Sequence, residues 1–271
     1  MALTKVLIAV KTYPTISVKH EELVCTAGFR EDGTWVRIYP VKFRKKAYHE
    51  QYEKYQWIEI DLVKNESDFR PESFRPVSHD TEIIIIGKIP ADGNTWHERR
   101  KFILNNVHLN LTELIAEAKD REKETSLAVF KPTTVLDFIW ESVDRQWSEK
   151  KLAALMQYNL FETNRENKLD VVKKLPFKFS YVFQDNQGIQ STLMIEDWEV
   201  GALFWTMFNK LGDEELACKA VRKKYLDDFA KTKDLHFYLG TSAQFHLVAP
   251  NPFMIIGTFH PKKISQSFIE F

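Results

Sequence analysis

Apolar residues come in short, strand-sized runs at the start of the chain. Val6–Val10 is one continuous run and Leu23–Phe29 is a second. Glu31-Asp32-Gly33 is a turn signal, because glycine tolerates the positive φ of tight turns. Thr34–Tyr39, rich in β-branched and aromatic residues, predicts the returning strand of a hairpin that ends at Pro40, with Ala27-Gly28 as a bulge. Gln56–Val63 alternates Trp57, Glu59 and Asp61 against Ile58, Ile60 and Leu62, the period of a half-buried strand. Thr81–Lys88 reads as a strand buried on both faces, and the stretch between, with Pro71 and Pro76, as loop.

The pattern then becomes helical. Trp96–Asn105 and Leu111–Arg121 carry apolar stripes and charged faces, and Ser126–Phe130 and Thr134–Trp140 return to strand. Trp147–Gln157 is a short polar helix or linker, and Glu162–Lys174 has little apolar periodicity. Phe177–Phe183, the turn Asp185-Asn186-Gln187-Gly188 and Gln190–Ile195 form a hairpin signal. Glu196–Leu211 and Glu214–Lys231 are a helical pair split by Gly212-Asp213, with Asp213 as the N-cap of the second. Asp234–Gly240 and Pro252–Phe259 are two further strands. The fold class expected is α+β: a β-rich, OB-like small barrel with a helical insert over residues 1–160, then an α+β module with two hairpins and a helical pair over 161–271.

Charge balance limits the partners. The chain has 271 residues, with 38 Lys+Arg against 38 Asp+Glu. Any nucleic-acid surface is therefore a local patch, not a property of the whole molecule. Two cysteines, Cys25 and Cys218, are too few for a disulfide framework or a four-cysteine zinc site. The apolar start is too short for a signal peptide, and no run approaches the roughly 20 residues that span a bilayer. These features point to a cytoplasmic protein.

Catalytic patterns are sparse. The eight histidines show no zincin spacing, and there is no phosphate-cradling glycine loop and no nucleophile elbow. No cofactor or metal is expected. Glu196, Asp197 and Glu199 sit where a strand meets a helix, which suits either a Mg²⁺-dependent nuclease or favourable acids at a helix N-terminus.

The sharpest feature is Val36–Tyr55. Arg37, Lys42, Arg44, Lys45, Lys46 and Lys54, against Glu50 and Glu53, interleave there with Tyr39, Phe43, Tyr48, Tyr52 and Tyr55. Cations neutralise phosphates and aromatic faces stack on unpaired bases, so this is the composition of a single-strand binding patch. Arg70, Arg75, Arg99 and Arg100 extend it. The opposing reading makes the tyrosines a packed helical stripe and the cations a solvated face. Trp35 and Arg37 lie two apart on one strand face. Outward, they offer a stacking plane beside a cation; inward, Trp35 is core and Arg37 an internal ion pair with Glu59 or Asp61.

Cys25-Thr26-Ala27-Gly28 followed by Gly33, Trp35, Arg37 and Pro40-Val41 resembles a motif of bacterial dual OB domain-containing proteins. Ser126–Pro132 is similar to a second patch of those chains, and the resemblance covers about residues 1–140. It implies an accessory role in bacterial defence or mobile-element systems. The leading expectation is non-catalytic binding of single-stranded or modified DNA, or of RNA. A metal-dependent nuclease or phosphodiesterase is the second reading, and a protein-interaction subunit of a larger assembly the third.

Overall fold

The computed structural model describes residues 3–17, 21–78, 80–153 and 171–264. The first strands are β1 (Thr4–Lys11), β2 (Thr15–Ser17), β3 (Glu21–Phe29) and β4 (Trp35–Val41). They are followed by β5 (Gln56–Ile60), β6 (Leu62–Lys64), β7 (Ser73–Pro76) and β8 (Ile83–Lys88). All eight belong to one sheet of order β6-β7-β4-β3-β1-β5-β8, with β2 beside β3. The sheet curls into a half-barrel and its path stays open, with β6 and β8 at its ends. A closed small barrel would need those two strands to pair.

Val6 to Val10 of β1 are fully buried, because the strand lies mid-sheet and is covered on both faces. Val6 and Ile8 pack with Val36, Ile38 and Ile58 on one side. Ala9 and Val10 pack with Leu127, Val129 and Tyr238 on the other. The hairpin forms as the sequence predicts: Arg30 N donates to Thr34 O at 2.9 Å, and Gly33 has φ 81°. The bulge is elsewhere. Ile8 faces Gly28 and Val10 faces Ala27, so the extra residue is Ala9 of β1. Gly28 instead permits close strand approach, since a Cβ there would lie 2.1 Å from Leu7 O.

Three expectations change. β4 runs through Pro40 to Val41. The stretch expected to be loop contains β7, and β8 is an edge strand whose Ile84 and Ile86 are exposed. Between β4 and β5 the basic, aromatic stretch is a long excursion rather than a regular helix, with two short 3-10 turns, Phe43–Lys45 and Tyr48–Glu50.

The rest of the chain adds α1 (His97–Ile103), β9 (Val107–His108), α2 (Leu111–Lys119), β10 (Leu127–Phe130) and β11 (Thr134–Ser142). The hairpin is β12 (Phe177–Gln184) and β13 (Gln190–Met194), followed by α3 (Trp198–Leu211) and α4 (Glu214–Arg222). α4 continues as a wider-wound turn over Lys223–Ala230, and β14 (His236–Thr241) and β15 (Phe253–Phe259) complete the order. Two sheets result, β15-β14-β10-β9 and β11-β12-β13. The caps follow the sequence. Asn110 Oδ1 accepts from Thr112 N and Glu113 N, Asp213 accepts from Leu216 N, and Gly212 ends α3 with φ 69°. Phe130, Phe138, Phe179, Tyr181, Phe183, Phe204 and Phe237 are fully buried in one aromatic core. Each such side chain contributes about 1.5–3 kcal/mol by leaving water. The boundary expected at residues 160/161 lies outside the described residues. Among the described residues, no helix is long and apolar enough to cross a membrane.

Candidate functional site

The residues of the basic, aromatic stretch separate into three groups. The first is a surface groove of about 270 Å³ between the end of β4 and the β7–β8 connection. Lys42, Lys46 and Arg75 line it, over an apolar floor that includes Val41, Ile60 and Ile83. Lys46 Nζ donates to Thr81 O at 2.6 Å and to Glu50 Oε1 at 3.3 Å, which fixes the cation at the rim. Tyr48, on the adjoining turn, is 92% exposed. Arg44 and Lys45 lie half-buried in the turn before it. Phe43 and Tyr52 point inward and meet edge to face at 4.9 Å, and the two 3-10 turns leave no single helical tyrosine stripe.

The second group is internal. Arg37 is buried; its guanidinium donates to Ser73 Oγ (3.2 Å), Ser126 Oγ (2.9 Å) and Ser126 O (3.1 Å). Arg70 is buried beside it, donating to Asp68 Oδ1 (2.8 Å) and Oδ2 (2.5 Å) and to Thr241 O. Ser73 Oγ also donates to Asp68 Oδ2 at 2.8 Å. Burial alone would raise the Asp68 carboxyl, but Arg70 and Ser73 outweigh it and hold it at about 2. Trp35 is half-buried against Phe29 and Tyr238. The inward alternative for Trp35 and Arg37 is therefore the one realised. The partners are not Glu59 or Asp61, because β3 and β1 stand between β4 and β5. Tyr39 is half-buried, and its carbonyl accepts from Asn65 Nδ2 at 3.4 Å. Arg100 ties α1 to the C-terminal half through Asp234 Oδ2 (2.7 Å) and Lys262 O (2.9 Å).

The third group surrounds a cavity of about 380 Å³ between the two halves of the chain. Tyr55, Trp96, Tyr225, Phe229 and His260 form much of its wall, with Lys54, Asp197 and Glu199 on one side. Lys54 Nζ donates to Asp197 Oδ1 (2.9 Å) and Oδ2 (3.0 Å) and to Glu199. Asp197 is 1% exposed, and burial together with the Glu199 charge raises its carboxyl well above the usual range. Glu199, 48% exposed, is driven the other way: burial opposes ionisation, but Lys54 wins and lowers it to about 2. The pair thus keeps a proton on Asp197 more readily than on Glu199. Burial, aided by the Lys54 charge, lowers His260 to about 3, so its imidazole is neutral. It stacks on Phe229 at 3.6 Å. Arg99 lies behind this wall, its guanidinium 4.0 Å from the Tyr55 ring centre and 4.8 Å from that of Trp96.

Sequence reading found Asp197 and Glu199 and counted Lys54 among the cations of the basic, aromatic stretch, but did not bring Lys54 to the carboxyls, 143 residues away. Glu196 is not part of the cavity lining, since consecutive residues of extended chain face opposite ways. Lys54, rather than a third carboxylate, stands between Asp197 and Glu199. Among the described residues, no group of three or more His, Cys, Asp or Glu side chains converges as a metal site.

A family model described as Domain of unknown function (DUF8757) matches residues 107–270, more than half of the chain, and the chain belongs to that family. A second, described as Domain of unknown function (DUF8758), matches residues 2–105. The two matches meet between α1 and β9. No curated protein matches. One solved structure, described as "Structure of murine DNA binding protein bound with ds DNA", is 10% identical, covers 97% of each chain and has a TM-score of 0.31. A likeness that distant carries no argument about this chain.

Proposed function

We propose that this chain binds nucleic acid at the groove rimmed by Lys42, Lys46 and Arg75, with Tyr48 as the adjoining stacking platform. The observation that carries the reading is the meeting of these three cations over an apolar floor, although Arg75 is 29 or more residues from the other two. Cations at such a rim hold phosphates, and an exposed tyrosine ring takes an unstacked base. Arg44 and Lys45 add positive charge beside the groove, whereas Arg37, Arg70 and Arg99 serve the interior. Single strands suit the groove better than duplex, because only an unpaired base presents its face to Tyr48.

The test is a fluorescence-anisotropy titration against labelled single- and double-stranded DNA and RNA at several salt concentrations. Wild-type protein binds single strands with a salt-sensitive affinity. The Lys42→Ala/Arg75→Ala variant flattens the log–log salt dependence by about 2, roughly 1 per phosphate contact. Tyr48→Ala weakens single-strand binding by about 1–3 kcal/mol with the salt dependence intact. Absence of binding at low salt overturns the reading; a co-purifying protein partner would then point to the interaction-subunit reading.

A further inference from the structure

A cleft of about 440 Å³, separate from the groove, is lined by Arg100, Lys131, Lys233 and Lys263, with Asp234 the one acid among the described residues of its lining. These cations come from four stretches of chain: α1, the residue after β10, the segment after the wide-wound turn and the residues beyond β15. The backbone beneath them is pinned. Lys131 N donates to His108 O at 2.9 Å, Lys233 N to Phe229 O at 3.2 Å, and Asp234 N to Pro261 O at 2.9 Å. The fold therefore gathers the charges before any ligand arrives, which lowers the cost of binding one.

Arg100 belongs to the frame. Its guanidinium donates to Thr95 O at 3.1 Å, to Asp234 Oδ2 at 2.7 Å and to Lys262 O at 2.9 Å. Arg100 and Asp234 cancel in charge, so the lining keeps the charge of its three lysines. Lys131 Nζ gives one donor to Asp234 Oδ1 at 2.9 Å, and Lys263 Nζ gives one to Lys231 O at 3.2 Å. Lys233 Nζ stands 3.5 Å from Asp228 Oδ1, a carboxylate that Lys224 also holds, at 2.7 Å. An ammonium carries three donors, so each lysine keeps some for a ligand. The side chains of Lys131 and Lys233 are 46% and 27% exposed, and Lys263 is exposed, so all three are open to a ligand from solvent.

We infer that this cleft binds a phosphate monoester, whose terminal oxygens take N–H donors from Lys131, Lys233 and Lys263. A monoester carries a charge of about −1.5 to −2 at neutral pH and presents three acceptor oxygens. A backbone diester carries a single negative charge and fewer free oxygens, so it matches three ammoniums less well. Lysine serves phosphate as a point charge, without the planar fork that arginine presents. The phosphorylated end of a strand and a small phosphorylated metabolite share this chemistry. The strand source rests on the proposed nucleic-acid binding; the small-molecule source does not.

The experiment titrates methyl phosphate and dimethyl phosphate into the full chain at low salt, read by calorimetry. A second arm uses internally labelled single-stranded oligonucleotides with a 5′-phosphate, a 3′-phosphate or hydroxyls at both ends, read by anisotropy. Methyl phosphate binds at least about tenfold more tightly than dimethyl phosphate. Lys131→Ala/Lys263→Ala weakens methyl phosphate binding at least about tenfold. Lys263→Glu abolishes that binding and replaces an exposed side chain only, which keeps the test open if the double variant does not fold. Lys210→Ala, which removes an exposed cation from α3, leaves methyl phosphate binding unchanged, and so does Lys42→Ala/Arg75→Ala. A preference for a phosphorylated end that is lost in Lys263→Glu identifies the strand as source. Methyl phosphate binding without an end preference identifies the small ligand. No methyl phosphate binding at about 10 mM together with no end preference overturns the inference and leaves the groove titration intact. Binding unchanged in Lys263→Glu, or weakened as much by Lys210→Ala, also overturns it.

Discussion

Replacing Arg70 with methionine separates a structural arginine from a phosphate contact. Arg70 and Asp68 have side chains only 7% and 8% exposed. The Asp68 carboxyl falls from 3.8 to about 2 in the fold. At about 1.36 kcal/mol per pH unit, that is about 2.5 kcal/mol of stability at neutral pH. Arg70→Met removes this contribution and also leaves Thr241 O short of a donor. Breaking a buried pair costs about 3–5 kcal/mol, so a loss of about 3–4 kcal/mol is expected. At about 2 °C per kcal/mol for a chain of this length, Tm drops about 6–8 °C. Because the folded value is depressed, the stabilisation is complete above the unfolded carboxylate range and disappears as pH falls from about 5 towards 2. The gap between wild type and variant therefore closes over that window. Urea denaturation at pH 7, 5 and 3 measures it, and anisotropy on the folded variant shows an unchanged salt dependence. Wild-type stability combined with a salt dependence weaker by about 1 would place Arg70 on a phosphate and refute the reasoning.

Two other perturbations test the frame that carries the sites. Gly28→Ala sets a Cβ 2.1 Å from Leu7 O and 2.9 Å from Leu7 C, both backbone atoms that cannot swing away. It costs about 3 kcal/mol or more, seen as a lowered urea midpoint; an unchanged midpoint would mean that β1 and β3 do not approach so closely. Asp213→Ala removes the acceptor 2.8 Å from Leu216 N and costs about 1 kcal/mol, with faster amide exchange at Leu216.

Locally encoded features were legible in the chain. The Asp185–Gly188 turn is written in its own residues: Asp185 Oδ1 accepts from Gln187 N and Ile189 N, and Gly188 has φ 75°. The helical pair, its Gly212-Asp213 break and the strands Leu127–Phe130 and Phe253–Phe259 were equally plain. The fate of long cations was not. Arg37 bonds Ser126, 89 residues on, and Arg70 bonds Thr241, 171 residues on. Nothing near Arg37 or Arg70 in sequence records that a second half will cover them. Lys54 likewise looks like one more surface lysine until Asp197 is folded against it. The left-handed backbone of Tyr55 and Trp96 leaves no sequence signal, because neither is glycine or asparagine.

The two faces of β4 explain why the expected nucleic-acid surface shifts. Val36 and Ile38 enter the core of the first sheet, while Trp35 and Arg37 share the opposite face. In an isolated small barrel that second face would meet water and offer a ring beside a cation. Here it meets β10 and β14: Trp35 packs on Tyr238, and Arg37 bonds Ser126 and Thr241. Residues matched by the two family models thus share one interior, through the Ala9–Val129–Tyr238 cluster, the Arg37–Ser126 bonds and the Lys54–Asp197 pair. Cations on the covered face had to find internal acceptors. Those at the end of β4 and on β7 lie beyond the covered area and reach solvent at the rim of a groove. The covering that removed Arg37, Arg70 and Arg99 from the surface also closed the cavity behind Tyr55 and Trp96, so the groove and the cavity are both products of one docking of the two halves.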